Sequence, residues 1–162
     1  MLNWFSQSPQ SDSVVITGAS TGIGAACALA LDKLGYRVFA GVRHPADGER
    51  LQQQAGPRLM PIRLDVTDAA SISAASHTVA AMVGERGLAG LVNNAGIGVA
   101  GPIELLPLAD WRRQFEVNVF GLIAVTQTFL PLIRTGRGRI INMGSIAGRA
   151  SMPFMAPYAA SK

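Results

Sequence analysis

Residues 14–24 read Val14-Val15-Ile16-Thr17-Gly18-Ala19-Ser20-Thr21-Gly22-Ile23-Gly24, a β-branched run that gives way to a glycine-rich turn. The run predicts a buried strand, because stiff β-branched side chains suit a pleated interior position. Ile23 to Leu34 is rich in Ala and Leu and predicts a helix, with Gly35 as its C-terminal stop. Between strand and helix, Gly18 permits a tight turn and Gly22 lets backbone amides approach an anion. Gly24 would let the helix pack closely on the sheet. The helix N-terminus adds unpaired N–H groups and a favourable dipole, so the turn is shaped to receive a phosphate.

Working outward, Val38-Phe39-Ala40 predicts a second strand and Gly48 to Ala55 a short helix. Leu59 to Val66 contains a third strand ending at Asp65, and Asp68 can cap a helix that runs to Val83. Leu88 to Val92 predicts a fourth strand, followed by the loop Asn93-Asn94-Ala95-Gly96. After Pro107 a long helix is expected from Ala109 to Leu130, with Pro131 near its end. Arg139 to Met143 predicts a fifth strand, and a last helix begins near Pro157. Strands alternating with helices imply right-handed crossovers and a parallel sheet covered on both faces. The expected fold is therefore α/β: a Rossmann-type doubly wound parallel sheet in three α/β/α layers, with about five strands. Residues 1–12 read as an N-terminal extension and 13–162 as one NAD(P)-binding domain.

Composition narrows the field of functions. At 162 residues, about half apolar and 15% charged, the chain suits a single packed domain. The net charge of +4 raises nucleic-acid binding, but the arginines are scattered and form no long basic run, so no nucleic-acid partner is expected. Cys27 is the sole cysteine, which excludes an intrachain disulfide and suits a reducing, cytoplasmic setting. His44 and His77 are isolated, and no His/Cys/carboxylate group has metal-ligand spacing, so no metal is expected. Ser13 to Leu31 carries no charge, but its three glycines break it into strand, turn and helix, and no membrane-spanning segment is expected.

The glycine turn points to a dinucleotide, and the second strand bears on which one. An NAD-selective site would usually offer an acid to the ribose 2′-hydroxyl about 20 residues beyond the turn. Here the strand ends in Gly41-Val42-Arg43. A guanidinium suits a 2′-phosphate, so NADP is expected in preference to NAD, with Ser20 and Thr21 as further hydroxyl donors.

The chain resembles the short-chain dehydrogenase/reductase family from Val14 to Lys162. The resemblance rests on the TGASTGIG turn, Asp65-Val66, the Asn93-Asn94-Ala95-Gly96 loop, Asn118 in VNVFG, Ser145, and Tyr158-Ala159-Ala160-Ser161-Lys162. The segments FAGVR and GLAGLVNNAGI are also similar to its steroid- and retinol-dehydrogenase branch. The resemblance implies that Gly18, Ser20, Thr21, Gly22, Ile23 and Gly24 hold the cofactor phosphates, with Arg43 at the ribose. Asp65 and Val66 would lie along the adenine, and Asn94, Ala95 and Gly96 near a ribose. Asn93 could equally hold strands together.

The resemblance further implies a catalytic set of Asn118, Ser145, Tyr158 and Lys162, with Tyr158 and Lys162 also touching the cofactor. A free phenol loses its proton near pH 10 and is a poor base at neutrality; a neighbouring ammonium and a positive nicotinamide favour the phenolate. Tyr158 would then exchange a proton with an alcohol or carbonyl oxygen, Ser145 would bind that oxygen, and Asn118 would help hold a relay water near Lys162. Taken singly, a Ser after a strand is a cap and a Tyr/Lys pair four apart is a surface contact. Their joint order implies an NADP(H)-dependent oxidoreductase acting on a small alcohol or carbonyl substrate. Family members continue past the lysine, so the sequence reads as a truncated domain whose full-length form is a homo-oligomer. The competing expectation is a non-catalytic dinucleotide-binding module.

Overall fold

The computed structural model describes residues 12–162; residues 1–11 of the expected N-terminal extension lie outside them. Five parallel strands form one sheet: β1 (Ser13–Ile16), β2 (Arg37–Val42), β3 (Leu59–Arg63), β4 (Gly90–Asn93) and β5 (Arg139–Asn142). Their spatial order is β3-β2-β1-β4-β5. The chain first winds outward from β1 to β3, then crosses back to β4 on the other side of β1. That reversal opens a crevice at the C-terminal ends of β1 and β4, where doubly wound sheets bind ligands.

Alternation along β1 divides the core. Val15 pairs in register with Phe39 and Leu91 and points to one face. There it joins Ile72, Ala75 and Val79 of α3 (Ala69–Val83) and Val125, Phe129 and Ile133 of α5 (Leu122–Thr135). Val14 and Ile16 point to the other face, packing with Val38, Ala40 and Val92 against Ala28 of α1 (Gly22–Lys33) and Leu51 of α2 (Pro45–Gln52). Phe39 and Phe129 are fully buried, each stabilising the fold by about 1.5–3 kcal/mol. The result is the three-layer α/β/α arrangement. On the β5 side the outermost strand has all four residues exposed.

Four expectations need adjustment. The helix α2 starts at Pro45, not Gly48, since proline is preset for the first helical turn. Gly48 is instead an interior glycine: a Cβ there would come within 2.6 Å of the Pro61 side chain, so its absence lets α2 lie on β3. The third strand ends at Arg63, two residues short of Asp65, whose N–H leaves the ladder for the Ser71 hydroxyl. The long helix spans α4 (Leu108–Phe115), a π-helical segment (Glu116–Gly121) and α5, and it runs through Pro131 to Thr135. Tertiary contacts override the proline: Leu88 N–H donates to Leu132 O, and Gly136 sits directly against the Leu88 backbone.

Leu108–Thr135, whose most apolar 18-residue window has a mean hydropathy of 1.5, is long and apolar enough to cross a membrane by length and composition. Here it lies on the sheet through Val125, Phe129 and Ile133. The Asp68 cap is as expected, its carboxylate accepting from Ala70 N–H at 2.9 Å.

Candidate active site

The turn after β1 closes only because it carries glycines. Gly18 and Gly22 take φ values of +64° and +58°, where a side chain is strained. A Cβ on Gly18 would lie 2.8 Å from Ala95 Cα. One on Gly24 would lie 2.3 Å from Gly18 O and 2.4 Å from Asn94 Nδ2. Gly24 thus packs α1 against the turn and the loop after β4, and not against the sheet as expected. Gly22 differs: no atom lies within 4 Å of its would-be Cβ, so its backbone faces open space. Thr17, only 1% exposed, fixes the two loops together, its hydroxyl accepting from Asn94 and Ala95 N–H at 3.0 Å each.

Above the strand ends lies a cleft of about 680 Å³. Its walls are Gly18, Ser20, Thr21, Ile23 and Gly24 from the turn, Arg43 after β2, and Asp65 and Val66 after β3. Asn94, Ala95 and Gly96 after β4 also line it as anticipated from sequence, whereas Gly22, Tyr158 and Lys162 do not; Ile97, Arg113, Glu116 and Val117 were not anticipated. Asn94 has a dual position: it lines the cleft while its amide donates to Thr17 O and Gly18 O at 3.0 Å each. Asn93 has a structural role, its amide reaching Thr126 on α5 and Asn142 on β5 at 2.9 Å. Partial burial pushes the Asp65 carboxyl up, but the Thr67 N–H and hydroxyl at 2.9 and 2.8 Å outweigh it. With the positive fields of Arg43 and Arg63 they hold the group below its ordinary value.

A second cluster adjoins the cleft at Gly96. A Cβ on Gly96 would lie 3.5 Å from Lys162 Nζ and 3.3 Å from Asn118 Oδ1. Tyr158 and Lys162 come from α6 (Ala156–Ala160) and the residues just after it. The ammonium lies 5.9 Å from the Tyr158 ring centroid and donates to Met143 O at 2.8 Å. Ser145 stands two residues beyond Met143, capping a 3-10 turn (Ile146–Gly148) by accepting from Ala147 N–H at 3.1 Å. That acceptor role leaves the Ser145 hydroxyl proton free to be donated. Asn118, buried in the π-helical segment, has its amide committed: Oδ1 accepts from Ile97 N–H, and Nδ2 donates to Ile97 O and the Ser161 hydroxyl. Tyr158, Lys162 and Asn118 therefore gather around one end of the crevice, with Ser145 two residues beyond the carbonyl that Lys162 contacts, and a π-helical turn there marks a departure from ideal helix, as is frequent at functional sites.

Two residues of this cluster had no sequence signal. Gln114, fully buried on α4, accepts from Val99 N–H at 2.7 Å and donates to Ile97 O at 2.6 Å and to the Ser161 hydroxyl at 3.2 Å. Ser161 in turn donates to Tyr158 O at 2.9 Å. A glutamine in a charged helix segment looks solvated, and only the fold reveals its partners.

Comparison with known proteins agrees with this architecture. A family profile described as short chain dehydrogenase matches residues 12–162. The chain is 41% identical over 152 residues to 17-beta-hydroxysteroid dehydrogenase type 2 of Homo sapiens, covering 92% of this chain and 39% of that protein. It is 44% identical over 143 residues to retinol dehydrogenase 5 of Mus musculus, covering 87% and 45% respectively. Among solved structures, NAD+-bound xylitol dehydrogenase superposes with a TM-score of 0.89 at 28% identity, covering 96% of this chain and 61% of that one. A gluconate 5-dehydrogenase from Burkholderia cenocepacia J2315, solved with NADP and tartrate, gives 0.83 at 30% identity, covering 95% and 63%. The chain spans about two fifths to half the length of the curated relatives it matches.

Proposed function

The chain belongs to the short chain dehydrogenase family, and we propose that it binds NADP(H) and interconverts an alcohol with a ketone or aldehyde, using Tyr158 as general acid/base. The observation that carries this reading is the placement of Lys162 and Asn118 beside Gly96 and of Tyr158 beside Gly98, on the loop that leaves the 680 Å³ cleft, with Ser145 two residues beyond Met143, which Lys162 grips. The cleft's lining supports a dinucleotide: Gly18, Ser20, Thr21 and Ile23 of the turn after β1 for the phosphates, the N-terminus of α1 behind them, and Arg43 after β2 for the ribose end. When bound, the nicotinamide supplies the hydride chemistry.

The chain's own residues handle the proton. In the oxidative direction Tyr158 Oη takes the proton of the substrate hydroxyl; in the reductive direction it returns a proton to the carbonyl oxygen. Lys162, donating to Met143 O, keeps its ammonium over the Tyr158 ring. Ser145 donates its free hydroxyl proton to the substrate oxygen, steadying charge as it develops. Asn118 holds the loop that carries Gly96. The substrate class follows the named relatives, so estradiol and retinol serve as probes for secondary and primary alcohols. A cytoplasmic location, no nucleic-acid partner, no membrane-spanning segment and a homo-oligomeric full-length protein complete the proposal.

NADP is proposed over NAD because Arg43 lines the cleft after β2, where no acid stands to receive a 2′-hydroxyl. A charge-assisted hydrogen bond contributes about 1.5–3 kcal/mol. Arg43→Ala is therefore expected to weaken NADP+ binding about 10- to 100-fold and leave NAD+ within twofold. Calorimetric titration with both dinucleotides checks this; equal losses for the two would remove Arg43 as the discriminating group.

A further inference from the structure

We propose that Gln114 is a positioning residue, whose amide locks the segment carrying Tyr158 and Lys162 against the loop after β4. The inference rests on the oxidoreductase reading above and assigns a role inside its site. Tyr158 lies within α6 and Lys162 two residues beyond it, and hydrogen bonds from outside the helix anchor the pair relative to the crevice.

The hydrogen bonds identify that anchor. The Gln114 side chain is fully buried, and the carboxamide uses both ends. Its oxygen accepts from Val99 N–H at 2.7 Å, while its nitrogen donates to Ile97 O at 2.6 Å and to the Ser161 hydroxyl at 3.2 Å. One side chain thereby ties α4, the loop after β4 and the segment between Tyr158 and Lys162. Asn118, one helical turn further on, repeats the clamp on Ile97 and Ser161 at 2.9–3.0 Å. The loop so held carries Gly96, beside Lys162 Nζ, and Gly98, whose would-be Cβ lies 3.7 Å from the Tyr158 ring. The loop and the reacting pair are therefore set by the same amides.

The chemistry suits Gln at this position. Val99 N–H needs an acceptor, and Ile97 O and Ser161 Oγ take a second donor beside that of Asn118; a carboxamide supplies acceptor and both donor hydrogens in one planar group. Glutamate would keep the acceptor, lose both donors and bury a charge. Methionine would fill the volume and lose all three bonds. Gln114 does not line the 680 Å³ cleft but its partner Ile97 does, so Ser161→Ala, which keeps the Gln114 bonds to Ile97 and Val99, is the variant that should reach the reacting pair and spare the dinucleotide.

The test compares the wild-type chain with Gln114→Met, Gln114→Glu and Ser161→Ala. The last variant cuts the link to α6 and keeps the bonds from Gln114 to the loop, which guards against a folding failure in the first two. NADP+ affinity, kcat with estradiol and retinol, and the ring signals of 13C-tyrosine are measured. The chain has two tyrosines, Tyr36 and Tyr158, so the signals are readily assigned. For all three variants the expected result is a fall in kcat of at least tenfold and a shifted or broadened Tyr158 signal beside an unchanged Tyr36 signal, and for Ser161→Ala an NADP+ affinity within twofold of wild type. An unchanged Tyr158 signal and kcat in a folded Ser161→Ala or Gln114→Met chain would overturn the proposal, as would a loss of affinity parallel to that of kcat in Ser161→Ala. Should the wild-type chain turn over neither alcohol, the oxidoreductase reading would fail by itself, and the Tyr158 signal would still decide the role of Gln114.

Discussion

Tyr158→Phe is expected to lower kcat about a thousandfold, the scale on which a positioned general acid/base acts, while NADP+ affinity stays within twofold. The substitution removes one oxygen and keeps the ring. The ring is half-buried beside Gly98 and under the Lys162 ammonium, so its packing should hold α6 in place. Tyr158 does not line the 680 Å³ cleft, and the turn after β1 is untouched. Turnover with estradiol and retinol, read alongside a calorimetric NADP+ titration, separates the two quantities. A kcat within a few-fold of wild type would mean that the proton passes elsewhere.

Gly24→Ala is expected to produce the largest loss of cofactor binding, at least a hundredfold for NADP+, together with a destabilisation of about 1–3 kcal/mol. The added methyl would sit 2.3 Å from Gly18 O and 2.4 Å from the Asn94 amide. Neither neighbour is the loose end of a flexible chain. Gly18 O belongs to a turn already at positive φ, and the Asn94 amide is held by Thr17 O and Gly18 O. Relief therefore requires the turn to open, which moves the N-terminus of α1 and the wall of the cleft together. Gly90→Ala provides the comparison: its methyl would meet Val14 at 3.5 Å, an ordinary contact, and should leave affinity unchanged. Thermal unfolding and NADP+ titration of both variants decide the matter, and an affinity for Gly24→Ala equal to that of Gly90→Ala would refute the argument.

Much of this was legible in the chain because local pattern and global fold agree. The β-branched run 14–16 and the glycines that follow are constrained by short-range sterics, so their sequence states their geometry. The strand and helix alternation required only periodicity. What remained hidden depended on contacts distant in sequence. Pro131 argued for a helix end, yet the Leu88–Leu132 hydrogen bond carries the helix on to Thr135. Gly48 resembled a boundary until Pro61 was found against it. Gln114 and Ser161 are 47 residues apart, and no spacing rule links them. The bonds of the Asn118 side chain to Ile97 and Ser161 likewise join residues far apart in sequence.

The most direct measurement follows the hydride. Estradiol carrying deuterium on its carbinol carbon is incubated with NADP+ and the 162-residue chain, and the NADPH formed is examined by mass spectrometry. The account predicts NADPH bearing one deuterium, with the hydroxyl proton released through Tyr158 and product formation suppressed in Tyr158→Phe. Saturable NADP+ binding with no labelled NADPH, from estradiol or from carbinol-deuterated retinol, would contradict it and leave a dinucleotide-binding module without catalysis.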